Sequence, residues 1–540
     1  MSKRTLLLAA LACATLASAQ PRLQTNLSTV QLVVNDRPFL VRGAEVFNSS
    51  TSNLAYMEPL WSQLAASHVN TVLAPISWEQ FEPKEGTFDF TLIDGLIDGA
   101  RRHRQKLIVL WFGSWKNLVS SYAPRWVREN PARFPMVKNS DGHTVPTLSP
   151  FGSETLAADT RAFVRLMQRI REVDAKEQTV IMVQVQNEMG LSTEARDHSA
   201  PAEAAFHGPV PAELLTAFAQ AGDSLPSVIL NVWKEAGHKS AGTWREVFGA
   251  SVLTHELFMS WHFAKYAGQV AAEGRKVYDL PMFVNGALGR SDGEPGSYPS
   301  GGPMPAFLEL WRTAAPAIDL LSPDIYATNF ADWAERFSRP GNPLFVPEMF
   351  PVPANAVIGI GQFRGLGVAP FGFEGRVKPG DEFSKVYELL AQIEPQILSA
   401  QARGAIAGAG VNAASKEAKL RLGDYTVEVR LRVPRRVHPP AEDGYALVIA
   451  ETPDSFLVLG RDVDIWFSLP DQPPQIVALD RVEEGAYRDG QWVPGRRLNG
   501  DEIMLSYDFK NLAAERRTGT GLRFGWGMPT LQRATVFRTR

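Results

Sequence analysis

Residues 181–190 read IMVQVQNEMG. Ile181, Met182 and Val183 open a run that reads as a buried strand, yet it passes through Gln184 and Gln186 and stops on Asn187-Glu188. A carboxylate beside an amide at the end of a buried strand needs a chemical reason, because an unpaired charge is costly to take out of water.

Seven other apolar runs share this texture between Phe39 and about Gly375. In chain order they are FLVRGAEVF, HVNTVLAPISW and QKLIVLWFGSW before it, then LPMFVNGAL, IDLLSPDIY, PLFVPEMF and GLGVAPFGFEG. Amphipathic segments such as FTLIDGLIDGARRHR and ADTRAFVRLMQRIREVDA separate most of them. Continuous apolar strands alternating with helices imply a parallel sheet covered by helices. Eight such units predict an α/β fold, a (β/α)8 TIM barrel, with chemistry at the C-terminal ends of the strands. An open doubly wound sheet usually carries a Gly-rich phosphate turn; GIGQFRG has the wrong spacing for one. The long connection from Leu191 to about Gly268, rich in Pro and bearing His207 and His238, reads as a partly helical excursion over the barrel mouth.

After about Ile393 the texture changes. YTVEVRLRVP, YALVIAET, SFLVLG, VDIWFSL, EIMLSYDF and RATVFRTR are short β-type runs between Gly, Pro and Asp turns, which predicts a C-terminal β-sandwich of jelly-roll type. The expected organisation is a signal peptide over 1–19, a catalytic barrel over 20–392 and the sandwich over 393–540.

The first twenty residues, MSKRTLLLAALACATLASAQ, have a basic start at Lys3-Arg4, a short apolar segment and a small-residue site at Ala17-Ser18-Ala19. That pattern predicts a secretory signal cleaved near Ala19 and a periplasmic or secreted protein. The only cysteine of the 540 residues is Cys13, inside this segment, so the mature chain has no thiol for disulfides or cysteine-ligated metals. Lipidation at Cys13 is the rival reading. No later stretch is long and apolar enough to span a membrane. A formal charge of −3 offers no basic surplus for nucleic acid. A homo-oligomer stays open.

On a barrel, Glu188 ends strand four and Glu348 ends strand seven, close enough across the mouth to flank one bond. Paired carboxylates can cleave a glycosidic bond, one protonating the leaving oxygen while the other attacks or activates water. Asn187 adds an amide for a sugar hydroxyl. QVQNEMG and LFVPEMF resemble the acid/base and nucleophile motifs of the large (β/α)8 glycosidase clan. NTVLAPISWEQFEPKEGTFDF is similar to the second-strand signature of glycoside hydrolase family 35, the β-galactosidases, in Asn70, Trp78, Glu82-Pro83, Gly86 and Phe88-Asp89-Phe90. The resemblance extends over nearly the whole mature chain, to a bacterial branch with a C-terminal β-domain of unknown function.

It implies Glu188 as acid/base, Glu348 as retaining nucleophile, Asn187 as a sugar-hydroxyl partner and Tyr326 as a phenol near the nucleophile. It further implies exo-action on non-reducing-end β-galactosyl groups of plant cell-wall oligosaccharides. The chain departs from better-known members at Pro75, where they carry Tyr, and at LWFGSWKN, where they carry Ala-Glu-Trp. Arabinopyranoside, glucoside or mannoside specificity therefore stays open, as does a glycan-binding barrel without turnover.

Glu45, Trp115 and Glu374 fall near the ends of strands one, three and eight. Each either lines the pocket, Trp115 as a stacking face, or serves the framework through ion pairs or packing. THELFMSWH lacks the histidine spacing of a zinc helix. Proton transfer suffices for the chemistry, so neither a metal nor a cofactor is expected.

Overall fold

The computed structural model describes residues 20–289, 293–432, 441–469, 477–505, 520–525 and 527–538. The expected signal segment 1–19 and Cys13 lie outside them. Eight parallel strands, one to eight in chain order, close into a barrel: Val41–Glu45, Thr71–Ser77, Lys106–Phe112, Val180–Val185, Met282–Ala287, Leu320–Ile325, Phe345–Met349 and Gly367–Pro370. Seven fall within the apolar runs, and the fourth starts one residue before its run, at Val180.

Strand three shows why these runs lack polar alternation. Leu107, Val109 and Trp111 pack outward under the helices, while Ile108, Leu110 and Phe112 fill the barrel interior. Side chains alternate across a strand, so burial of both faces makes every position apolar. Before strand one, Arg22–Thr25, Val30–Val34 and Arg37–Phe39 form a small antiparallel sheet, and its Leu32 and Val34 join the interior cluster.

The excursion after strand four is helical over Ala200–Phe206, Ala212–Ala221, Ser227–Glu235 and Trp244–Phe248. It ends earlier than expected, because Val252–Val277 is one long helix packed on the barrel. Its residues Glu256 to Trp261 are buried in succession, so no clean apolar stripe marks its start.

The C-terminal strands form two antiparallel sheets of six and five strands around a second apolar core. They begin at Ile406. The helix Glu394–Arg403 before them packs on the barrel: Gln401 donates to the carbonyls of Ile360 and Gly365, and Arg42 pairs with Glu394. Within the six-stranded sheet, Tyr445, Leu447 and Ile449 join the barrel's core while Ala446 and Val448 face the second sheet.

Candidate active site

Strand four ends at Val185, and there the chain enters a tight irregular turn. Gln186 and Glu188 both have positive φ, 64° and 47°, which non-glycine residues seldom adopt. Surrounding bonds hold them there. The Gln186 side chain donates to Asp159 at 2.6 Å and accepts from the Trp115 backbone N–H at 3.1 Å. Asn187 N–H donates to the Trp115 carbonyl, and Glu188 N–H donates to Asn285 Oδ1 at 3.1 Å. Asp159, fully buried on its helix, also accepts from Trp111, Ser114 and Tyr266, tying strands three and four together. Backbone strain held by such a network is characteristic of functional sites.

The turn aims Glu188 at Glu348 on strand seven. One oxygen from each, with one from Asp324 on strand six, lie within 4.8 Å of one another. Glu348 faces three donors: the Tyr326 hydroxyl at 2.7 Å and, at longer range, the amides of Asn187 at 3.4 Å and Asn285 at 3.3 Å. Asn285 also donates to Asp324 at 2.7 Å, and Asn117 donates to Glu188 Oε2 at 2.7 Å.

Charge is unevenly shared in this cluster. Burial, then repulsion from Glu348, pushes Glu188 up to about 7. The same two causes hold Asp324 well above the usual carboxylate range. Lys116, itself buried, opposes the shift on Glu188, Asp324 and Glu45. Glu188, Asp324 and Glu348 are also the one grouping of acidic or imidazole side chains among the described residues close enough to hold a metal ion. With burial and mutual repulsion favouring the protonated forms of two of the three, the cluster is suited to handling protons.

Glu188, Glu348, Asn187 and Tyr326 are thus brought together. Glu45 is fully buried at the end of strand one, with no hydrogen-bond partner for either oxygen among the described residues. Burial, then Glu348, raises it well above its usual range. Glu374 accepts from the Phe47 N–H at 2.9 Å and the Ser50 hydroxyl at 2.6 Å, bracing the loop after strand one, while its Oε2 is buried without a partner among the described residues. Neither glutamate makes an ion pair among them. Trp115 differs from the expected stacking face. Its ring is 0% exposed, edge-on to Phe263 and Tyr266 at 5.6 and 4.7 Å, so no face is open to a sugar.

Four residues of the cluster escape sequence reading. Asp324 and Asn285 sit in runs whose apolar texture hid them. Lys116 and Asn117 lie in the SWKN segment, where the two adjacent polar residues were the available signal. The second-strand signature turns out to be framework. Glu82 accepts from the Trp78 indole and the Gly86 N–H, Asn70 bridges strands one and two, and Phe88 and Phe90 pack on Phe81.

No curated protein matches the sequence. Among solved structures, the fold is similar to a beta-galactosidase from Bacillus circulans sp. alkalophilus, with TM-score 0.44 and 14% identity over 67% of this chain and 57% of that one. It is similar also to a beta-galactosidase from the psychrophilic Marinomonas ef1, with TM-score 0.44 and 11% identity over 67% and 61%. A third is the catalytic domain of beta-amylase from Paenibacillus polymyxa, with TM-score 0.42 and 11% identity over 62% and 97%. This chain spans 57% of the length of the Bacillus circulans enzyme. Residues 383–509 match a domain of unknown function, DUF5597. Residues 55–218 match the glycoside hydrolase 42 family model, described as beta-galactosidase; the match is to that family model and not to the family 35 expected from the sequence.

Proposed function

We propose that the protein is a retaining glycoside hydrolase that cleaves β-galactosidic bonds. The observation that carries this reading is the pair of glutamates on strands four and seven, their oxygens within 4.8 Å, one favouring its proton and the other facing three donors. Retaining glycosidases hold their carboxyl groups about 5–5.5 Å apart, while inverting enzymes need a wider gap for water. Galactose as the sugar rests on the family match over residues 55–218.

In this mechanism Glu348 attacks the anomeric carbon as Glu188 protonates the departing oxygen, leaving a glycosyl ester on Glu348. Glu188, now ionised, takes a proton from the incoming water, which hydrolyses the ester and restores both groups. The Tyr326 hydroxyl and the amides of Asn187 and Asn285 orient Glu348 for attack. Burial and Glu348 itself keep Glu188 protonated before each turnover. Export to the periplasm or medium, proposed from the Lys3-to-Ala19 pattern, would place the enzyme among extracellular oligosaccharides.

The test is a panel of aryl β-glycosides that includes galactoside, glucoside, mannoside and arabinopyranoside. Galactoside turnover is expected, with the β-anomer formed first by NMR and activity at background in Glu348→Gln. Formation of the α-anomer first would remove the retaining assignment. Binding without turnover of any glycoside would leave a glycan-binding barrel.

A further inference from the structure

Across the mouth from strand four lies a cavity of about 880 Å3 that the proposed chemistry does not use. Phe47, Asn48, Ser52, Asn53, Tyr56 and Phe371 are among the residues lining it, and no lining residue is charged. Two of its aromatic rings stand open to solvent, Phe47 at 37% and Tyr56 at 57%. Exposed rings on a folded surface are commonly free to move, but Phe47 is held. A Cβ at Gly372 or Gly375 would stand 2.3 or 2.8 Å from its ring, and Phe371 meets it edge-on at 5.5 Å. Its own N–H is tied to Glu374. A ring held in place and still part-exposed presents a fixed apolar face to a ligand. Beside it, Asn48 Oδ1 is buried without a partner among the described residues. Aromatic faces interleaved with free polar groups fit a pyranose, whose C–H face stacks while its hydroxyls hydrogen-bond.

Position decides which sugar this would be. In an eight-stranded barrel, strand eight stands opposite strand four. Glu188 protonates the oxygen that leaves, so the leaving group departs on the strand-four side and the sugar transferred to Glu348 extends the other way. It extends toward strands eight and one. Glu45, which Glu348 influences electrostatically, is bridged through its backbone to Phe371, a cavity-lining residue. The cavity thus opens beside the ends of strands one and eight, on the side toward which the transferred sugar extends.

We propose that this cavity is a second donor-side subsite, which binds a neutral sugar residue linked to the galactosyl unit being transferred. The claim rests on the glycosidase reading, and it departs from the exo-action expected from sequence. An enzyme that binds two sugars on the donor side releases a disaccharide or cuts within a chain. The uncharged lining selects neutral sugars over uronic acids.

Aryl glycosides of galactose and of β-1,4-galactobiose test it, with the released sugar identified by mass spectrometry. Intact galactobiose is expected, with kcat/KM at least fivefold above the galactoside. That ratio should fall at least fivefold in Tyr56→Ala and be retained in Tyr56→Phe. Stepwise release of galactose alone, or a ratio that Tyr56→Ala leaves unchanged, overturns the subsite. Calorimetric binding of galactose and galactobiose to Glu348→Gln, with and without Tyr56→Ala, reads the subsite without chemistry. Tighter galactobiose binding that depends on Tyr56, with no cleavage by the unaltered protein, would keep the subsite and remove the hydrolase reading. Equal binding of the two sugars would overturn the subsite.

Discussion

Two opposing influences set the proton on Glu188. Burial and Glu348 raise it to about 7, and the Lys116 ammonium lowers it. As the acid, Glu188 must be protonated, so kcat/KM should fall above about pH 7 by about tenfold per unit. Replacing Lys116 by Met removes a charge that favours the ionised form. The alkaline limb of the pH profile should then move to higher pH, and a shift to lower pH would show that Lys116 does not act on Glu188 through its charge. Glu188→Gln should lower kcat/KM by about 10²–10⁴-fold on substrates with poor leaving groups, and far less on dinitrophenyl glycosides, whose departure needs no protonation. Steady-state rates on the two substrate classes check this. The two glutamates were legible in the sequence as a pair closing strands four and seven, with Asn187 beside the first; closing an apolar run was not enough, because Glu45 and Glu374 do so too. The residues that adjust them were not. Asp324 is one polar letter in LLSPDI, Asn285 one in MFVNGA, and Asp159 sits mid-helix, its role created only when strands three and four come together beside it. Trp115 was misleading for a related reason: polar neighbours in sequence suggested exposure, while the long helix Val252–Val277 brings Phe263 and Tyr266 over its ring.

Elements were easier to read than their junctions. All eight barrel strands form at the expected runs because two-sided burial leaves an apolar record in each one independently. Packing between distant elements leaves no such record. The glycines of GIGQFRG, which form no phosphate turn, belong to a π-helical turn over Ile358–Gln362 and its exit. There Gly361 approaches Gly408 of the strand Ile406–Asn412, where a Cβ on Gly361 would stand 2.9 Å from the Gly408 Cα. A Cβ on Gly408 would stand 2.4 Å from the Val357 carbonyl oxygen. Backbone meets backbone there, and neither side can give by rotating a side chain. Gly408→Ala should therefore destabilise the protein by about 1–3 kcal/mol, the usual range for overpacking. Gly410→Ala, two residues on, meets only the side chains of Ala354 and Ile358 at 3.2 Å and should cost less. Chemical denaturation of the two variants decides, and equal losses would mean that the turn shifts to accommodate both.

At the scale of the whole molecule, the six-stranded sheet belongs to both domains. One face of its strand Asp443–Thr452 offers Tyr445, Leu447 and Ile449 to the barrel's core, and the other offers Ala446 and Val448 to the sandwich. Leu457 and Leu459 against Phe456 and Val458 repeat the division on Ser455–Arg461. Glu382, on a barrel-side helix, ties the two together by accepting from the Tyr445 hydroxyl and from Arg461, each at 2.8 Å. The sandwich thus braces the barrel through an apolar face that neither domain can leave in water, and unfolding either one strips the other's core. Heat should unfold both in a single calorimetric transition. Leu447→Ala, which removes a fully buried side chain from the shared face, should lower stability by about 2–5 kcal/mol and move that one transition as a whole, with loss of galactoside turnover tracking the same midpoint. Two separate transitions in the unaltered protein would overturn the shared core. So would a Leu447→Ala variant whose activity survives above the temperature at which its sandwich melts, because the barrel would then be standing without its brace.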